Sequence, residues 1–464
     1  MKFLLVFPRF KYPSGDPPVG PLSLIAYLRR ELPSVLVDFF DATFTPSLDA
    51  IEKKIELFSP DLVGVYCATL MYEDALKVGI IAKKHGARTV FGGPHSTMAP
   101  KSLLSRSCVD FVIIGEGERP LVHLLESYPD MAKIAKNTAI KIRGMKNQEN
   151  MAKLQLIDDL DDLPFPAYDM VDMGRYIRHW FQMDVVSPAL RGTNVFASRG
   201  CPFSCSFCQP TLTSLFGKKI RFKSPERLIE EILFLKEQYK INSFIIDDDT
   251  LTCNKEWLLK FCTLLEEKKL CMQWGCNTRV GLINEKILEI MSKVGYRRMM
   301  VGIESASQRI LDEVYNKGIK IKDAPALISS AKEHGVKVFA YFMLGAPTET
   351  SREMQKTIDF AFTSAIDEAT FSIATPLPGT FLASRFMQNH YRGNDDFSKV
   401  DYYRGNPRTV SRNIRSLRLR QKLAFLKFYL HPKRISFLLK SFSSIIAIRK
   451  SMLKLKRLVQ VKGR

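Results

Sequence analysis

A chain of 464 residues is too long for one ordinary hydrophobic core, so two or three domains are expected. Hydrophobic residues at 46% and charged residues at 25% exclude a mainly disordered or fibrous protein, and no apolar run is long enough to read as a membrane span. The net charge of +21 invites a nucleic-acid partner, but residues 403–464 hold 18 Lys and Arg and no Asp or Glu; 51 basic against 48 acidic residues remain elsewhere, a net +3.

The opening MKFLLVFPRF carries one Lys and a short apolar run that Pro8 and Arg9 end before a signal peptide is complete, so it reads as a buried strand. Residues 1–140 then alternate apolar runs with amphipathic stretches: PLSLIAYLRREL, LVGVYCA, DALKVGIIAKKHG, RTVFGG, DFVIIGEGE. This β/α rhythm predicts a Rossmann-like, doubly wound parallel sheet covered on both faces. Ligands of such sheets sit beyond the carboxyl ends of the strands. Three Gly/Pro loops fall there: Pro17-Pro18-Val19-Gly20, Gly92-Gly93-Pro94-His95 and Gly115-Glu116-Gly117-Glu118.

Residues 141–190 lose the alternation and read as a linker, with Asp158, Asp159, Asp161, Asp162, Pro164 and Pro166 among few apolar residues. The rhythm returns over 191–390. Candidate strands are NVFASRG, SFIIDDD, MQWGCNT, RRMMVGIES, KVFAYFMLG and EATFSIATPL, six β/α units that predict a partial (β/α)6 TIM-type barrel with its chemistry at the carboxyl ends of the strands. Residues 391–464 form a basic tail predicted to be helical and divided by Pro432.

Nine cysteines occur, at 67, 108, 201, 205, 208, 253, 262, 271 and 276. An odd number with one tight cluster, in a chain without an export signal, points to the reduced cytoplasm. GCPFSCSFC places Cys201, Cys205 and Cys208 at C-x3-C-x2-C spacing in a loop after the first barrel strand. Soft thiolates suit an iron-sulfur cluster or zinc. Three close ligands leave one iron of a [4Fe-4S] cube without a protein ligand, which a small chelator can take. The alternative is buried thiols, or a zinc site completed by a distant residue.

This spacing, with Phe207 before the last Cys, resembles the radical S-adenosylmethionine superfamily, over residues 193 to about 385. The resemblance implies a [4Fe-4S] cluster on Cys201, Cys205 and Cys208, and S-adenosylmethionine bound at the strand ends. It places Asp248 and Asp249 near the methionine amine, Arg279 near its carboxylate, Glu304 near the ribose hydroxyls and Gly345 near the adenine. The alternatives are an exposed acidic turn for the Asp run, a surface charge for Arg279 and a local salt bridge for Glu304.

PPVGPLSLIAYLR, VGVYCATL, FGGPHSTMAP and DFVIIGEGE, with the connector IDDLDDLPFPAYDM, resemble the cobalamin-binding branch of that superfamily. The resemblance implies corrin contacts from Gly20, Thr69, Gly92, Gly93, Pro94, His95, Gly115 and Glu116. The Asp-x-His-x-x-Gly motif of other cobalamin proteins is missing, so no axial histidine is expected. A cofactor-free flavodoxin-like cover is the alternative, and for His95 a loop histidine bonded to its surroundings.

The implied activity is C–H functionalisation by a 5'-deoxyadenosyl radical, with methyl transfer to an unactivated carbon leading and cyclisation or oxidation as alternatives. A tRNA-modifying methylthiotransferase would carry three further cluster cysteines before Cys201, where only Cys67 and Cys108 occur. An inert electron-transfer or scaffold protein would need a fourth ligand and no polar strand ends. Expected partners are a small-molecule or lipid-like substrate and a reductant such as flavodoxin or ferredoxin. The tail interleaves Leu and Ile with unopposed Lys and Arg, which suits the inner face of a membrane. Packing on the barrel is the alternative; few aromatics in the tail argue against RNA.

Overall fold

The computed structural model of the chain describes residues 1–9, 14–145, 153–386, 397, 414–432, 434, 448, 450 and 452. It comprises two compact units: Met1–Met173 with Cys208–Arg221 and Leu377–Val400, and Gly174–Phe207 with Phe222–Pro376 and Asp401–Arg464. The first unit thus gathers pieces from three stretches of sequence.

In the first unit, β1 (Lys2–Phe7), β2 (Leu36–Asp41), β3 (Leu62–Tyr66), β4 (Arg88–Gly92), β5 (Phe111–Ile113) and β6 (Ile140–Ile142) form one sheet in the order β2-β1-β3-β4-β5-β6. Every pair is parallel except β5 with β6. Continuous apolar runs such as Phe3-Leu4-Leu5-Val6 are buried on both faces, as a sheet between two helical layers requires. Helices Val19–Glu31, Leu48–Phe58 and Tyr72–Lys84 make the crossovers. The strand order reverses between β1 and β3, which makes the carboxyl ends of these strands the crevice where such a sheet binds a ligand.

The second unit is built on β7 (Gly192–Val195), β8 (Ser198–Arg199), β9 (Arg221–Phe222), β10 (Ser243–Ile246), β11 (Gln273–Arg279), β12 (Tyr296–Glu304), β13 (Lys337–Leu344) and β14 (Glu368–Ile373). Six of them form an all-parallel sheet in the order β14-β13-β12-β11-β10-β7, the open partial barrel that the β/α rhythm predicts. Along β13 the period is strictly two. Val338, Ala340, Phe342 and Leu344 are buried, while Phe339, Tyr341 and Met343 on the opposite face are only partly covered. That half-covered face is the barrel interior. One end of it is filled by Trp180, Met183 and Leu190 packed with Ile245 and Met300. Gly192 is a glycine because a Cβ there would lie 2.2 Å from the Trp180 ring.

The tail begins as the helix Ile414–Tyr429, which lies on β14, the edge strand. Phe428 packs edge-on to Phe371, and Gln421 Nε2 donates to Phe371 O at 2.6 Å. The Tyr429 hydroxyl donates to Ala369 O at 3.0 Å. These side chains satisfy backbone groups that an open edge would leave unpaired. Arg434 then donates to the carbonyls of Ala361, Phe362, Ser364 and Ile366, closing the C-terminal end of helix Ser351–Thr363. The second tail helix predicted from the sequence falls largely outside the described residues. Among those described, no helix is long and apolar enough to cross a membrane.

Candidate active site

The cysteine loop leaves β8 through Gly200, whose φ of +96° lies in the left-handed region that favours glycine. Its entry is fixed by Asp248, which accepts from Ala197 N at 2.8 Å and from the Ser198 hydroxyl at 2.6 Å. Burial pushes the Asp248 carboxyl up to about 7. The middle of the loop is pinned to the turn at 314–316: Ser206 N donates to Tyr315 O at 2.8 Å, Ser206 Oγ donates to Val314 O at 2.6 Å, and Asn316 Nδ2 donates to Ser204 O at 3.2 Å.

On this frame Cys201 is half-buried, 3.6 Å from the Thr250 hydroxyl, and burial pushes its thiol up. Cys205 is buried, and its Sγ accepts from Arg279 Nη1 at 3.3 Å. The Arg279 guanidinium lies 4.0 Å over the Phe203 ring. Cys208 is exposed. All nine cysteines are free, and among the described residues no group of three His, Cys, Asp or Glu is gathered around one point as a metal site. The donor set itself fits an iron-sulfur cluster: three soft ligands on a braced loop, one of them bonded to a guanidinium.

Glu304 ends β12 with a φ of +66°, and its Oε1 is 3.0 Å from Lys317 Nζ in a pair whose side chains are 10% and 7% exposed. Gly302 keeps room for this pair, since a Cβ there would come within 2.6 Å of Glu304 Oε1 and 2.9 Å of Lys317 Nζ. Lys317 Nζ also lies 5.6 Å over Phe207, which meets Tyr315 edge-on. The Tyr315 hydroxyl is buried without a hydrogen-bond partner among the described residues. Asp249 is exposed, one residue beyond the loop brace. At Gly345, which the resemblance places near the adenine, Glu349 Oε2 accepts from Gly345 N at 2.7 Å and from Ala346 N at 3.0 Å, and Leu417 occupies the space beside its Cα. Lys317, Thr250 and Tyr315 join these residues without any spacing signal in the sequence.

The residues assigned to cobalamin separate into two kinds. Among the described residues nothing lies within 4 Å of an added Cβ at Gly20, in the first turn of helix Val19–Glu31, or at Gly92, the last residue of β4. Others are used by the fold. Gly93 has φ +109° and Pro94 opens a short helix. His95 is fully buried, with Nδ1 3.2 Å from the Thr69 hydroxyl and Nε2 3.0 Å from Ser102 Oγ, between the rings of Tyr72 and Phe397. Burial pushes it down to about 4, so it is neutral, and both its nitrogens are spent. Gly115 donates to Thr97 Oγ1 at 3.0 Å, and Glu116 pairs with Arg221.

Three comparisons bear on this geometry. Residues 195–361 match the Radical SAM superfamily, and residues 12–125 match the B12 binding domain. An uncharacterized methyltransferase of Pyrococcus horikoshii is 33% identical over 453 residues, covering 93% of each chain. The chain belongs to the B12-binding radical SAM enzymes. Its cofactors are accordingly a [4Fe-4S] cluster, S-adenosylmethionine and cobalamin. The anaerobic magnesium-protoporphyrin IX monomethyl ester cyclase of Rubrivivax gelatinosus is 30% identical and covers 82% of this chain and 68% of its own length. Among solved structures, the radical S-adenosylmethionine methyltransferase TsrM from Kitasatospora setae, with cobalamin and [4Fe-4S] cluster bound, superposes with a TM-score of 0.67 at 16% identity, over 83% of this chain and 74% of that one. This likeness shows the shared fold.

Proposed function

We propose that this B12-binding radical SAM enzyme transfers a methyl group to an unactivated carbon of a small molecule, with Cys201, Cys205 and Cys208 holding the cluster. The observation that carries the reading is the loop itself: Cys201 and Cys205 follow the first barrel strands, Cys205 Sγ accepts from Arg279 Nη1 at the end of β11, and the buried Glu304–Lys317 pair marks the end of the adjacent β12. A chain similar to a methyltransferase over nearly its whole length supports methyl transfer over cyclisation. When bound, the reduced cluster supplies the electron that cleaves S-adenosylmethionine, and cobalamin supplies the methyl group.

The protein's own residues do the rest. Asp248 and the 314–316 turn hold the loop in place, and Arg279 offsets negative charge at Cys205. Lys317 pairs with Glu304 in a buried position where the glutamate's oxygens can accept hydroxyl protons. Gly20 and Gly92 leave the carboxyl edge of the first sheet clear for the corrin. Anaerobic reconstitution tests the reading. The reduced holoenzyme is expected to form 5'-deoxyadenosine, and Ala at any of the three cysteines to abolish it; a zinc-loaded protein that never forms 5'-deoxyadenosine would overturn it.

A second feature favours work beside a lipid surface. On the outer side of helix Ile414–Tyr429 and just beyond it, Leu419, Leu423, Leu426 and Leu430 form a stripe, each more than half exposed, with Arg415 and Lys422 exposed nearby. An apolar stripe with basic flanks fits anionic headgroups. The protein is expected to pellet with vesicles containing phosphatidylglycerol, less so at high salt, and Leu423→Glu with Leu426→Glu to stay in the supernatant. Equal pelleting of the two proteins removes the membrane reading.

A further inference from the structure

We propose that the groove between helices Ala324–Glu333 and Ser351–Thr363 is the docking surface for the protein that supplies the electron, a small acidic carrier of the flavodoxin kind. The proposal rests on the reading of this barrel as a radical enzyme and names the partner that this face takes.

The groove encloses about 650 Å³. Ile321, Pro325 and Phe360 give it an apolar lining, and Lys322, Arg352 and Lys356 stand exposed around them. None of these three cations has an ion pair or hydrogen bond among the described residues. Asp359, the acid in the lining, is already bonded to Lys427 Nζ at 2.6 Å. Three uncompensated positive charges thus surround an apolar patch. On an acidic protein surface the charges steer the encounter and the patch is buried at its centre. A small inorganic anion would use the charges and leave the apolar residues wet.

The neighbour of the groove selects an electron carrier among acidic partners. Asn316 is exposed, and its Nδ2 donates to Ser204 O and Oγ, each at 3.2 Å, on the exposed edge of the cysteine loop. From Asn316 the chain runs to Ile321 in the groove, a stretch of at most about 17 Å. An interface of ordinary size covers about 800 Å² of each partner, a patch about 30 Å across. A protein seated on the groove therefore reaches the outer edge of the loop that carries the cluster ligands. The surface between them is fixed in advance. Gln308 Nε2 donates to Ile319 O at 2.8 Å, Ile321 N donates to Gln308 Oε1 at 3.0 Å, and Glu353 accepts from Arg309 Nη2 and from Ser307 Oγ, each at 2.8 Å. A preformed face loses little entropy of ordering when it binds. The exposed leucines that suit a lipid surface lie on helix Ile414–Tyr429, outside this lining. In the docked pair one electron leaves an anionic flavin hydroquinone, which becomes the neutral semiquinone without losing a proton, and reduces the cluster by one.

Isothermal titration of the reconstituted holoenzyme with oxidised flavodoxin tests the docking. Binding is expected at roughly micromolar concentration in low salt and should weaken as salt is added. Lys322→Glu with Lys356→Glu should weaken it at least roughly tenfold, whereas Lys255→Glu with Lys268→Glu, two exposed charges on another flank, should change it less than about threefold. Below saturation, 5'-deoxyadenosine formation driven by flavodoxin hydroquinone should fall in the groove variant by a similar factor. With titanium(III) citrate, a reductant that needs no docking, it should stay within about twofold of wild type. No binding by the wild type, equal binding by the groove variant, or equal loss in both charge-reversed proteins overturns the proposal. So does a groove variant that binds flavodoxin normally but no longer pellets with phosphatidylglycerol vesicles, which would make this a lipid surface. Absence of 5'-deoxyadenosine from the wild type under titanium(III) citrate strikes the catalytic reading instead, and the titrations still decide the docking.

Discussion

Arg221 holds Glu116 through both carboxylate oxygens, Nη1 to Oε2 at 3.1 Å and Nη2 to Oε1 at 2.6 Å, in a pair whose side chains are 8% and 1% exposed. The same guanidinium donates to Phe216 O, and Ile157 N donates to Glu116 Oε2 at 2.9 Å. A glutamate in a Gly-rich strand-end loop thus serves to fasten the segments around 157 and 216–221 to the first sheet. Removing one partner leaves a buried charge, so Glu116→Ala or Arg221→Met alone should destabilise this unit by about 3–5 kcal/mol. Replacing both by Met should cost much less. Urea unfolding followed by hydrogen exchange in the first unit reads the difference; single variants as stable as wild type would show that the pair contributes nothing.

Gly92 and Gly93 are adjacent but answer different questions. At Gly93 a Cβ would meet Cys67 O at 3.0 Å with φ at +109°, so any substitution strains the turn whether or not a corrin is present. At Gly92 the space is open. Gly92→Leu is therefore expected to leave the melting temperature of the cobalamin-free protein within about 2 °C of wild type while reducing cobalamin retained through desalting several-fold, measured by corrinoid absorbance. Full retention by Gly92→Leu would move the corrin site away from the end of β4.

The fold was legible because its signals are local and periodic. Runs such as KFLLVF and the two-residue alternation in KVFAYFML are fixed by which faces the sheet must bury. The strand β2, LVDFFD, escaped the reading because it lies at a sheet edge where only Phe39 is buried, so its pattern is weak. The cysteine loop was legible from spacing alone. Its supports were not. Asp248 reaches back 50 residues to Ser198, Lys317 pairs with Glu304 across a turn, and Arg221 crosses 105 residues to Glu116. Those partners are chosen by tertiary packing, which leaves no period in the sequence, and the same packing sets the hydrogen bonds of His95 and Gly345.

His95 makes the first unit sensitive to acid. Its folded value of about 4 lies below the ordinary 6.5, with burial as the cause. Above pH 6.5 the ring is neutral in both folded and unfolded chains and costs nothing. As the pH falls from 6.5 toward 4, the unfolded chain takes up a proton that the folded one refuses, so stability drops across that window, by at most about 3 kcal/mol. His95→Gln should flatten this part of the pH profile, even if it lowers stability at pH 7 by disturbing the contacts to Thr69 and Ser102. Profiles of equal slope for the two proteins would count against a neutral, buried His95.

The start of the basic tail is part of the barrel, and this changes how the tail should be dissected. Leu417, Ala424 and Phe428 are each at most 3% exposed, and full burial of a large apolar side chain such as Leu417 or Phe428 is worth about 1.5–3 kcal/mol. Gln421 and Tyr429 also satisfy the edge of β14. Truncation before Ile414 strips that cover and bares a parallel edge strand, so the shortened protein is expected to aggregate on expression. Leu417→Ala is the milder probe. Leu417 fills the space beside Gly345, so the expected loss is about 2–5 kcal/mol. A chain ending after Arg434 keeps both the edge cover and the guanidinium that closes helix Ser351–Thr363, and should remain soluble. It loses Lys450, whose Nζ bonds Asp184 at 2.7 Å and the carbonyls of Trp180 and Leu190 in the segment that fills the barrel. Protection of the Trp180 indole N–H in hydrogen exchange is therefore expected to fall in that chain and in Lys450→Ala, with the global fold intact. Unchanged protection in both would mean that the tail ends its structural work at Arg434.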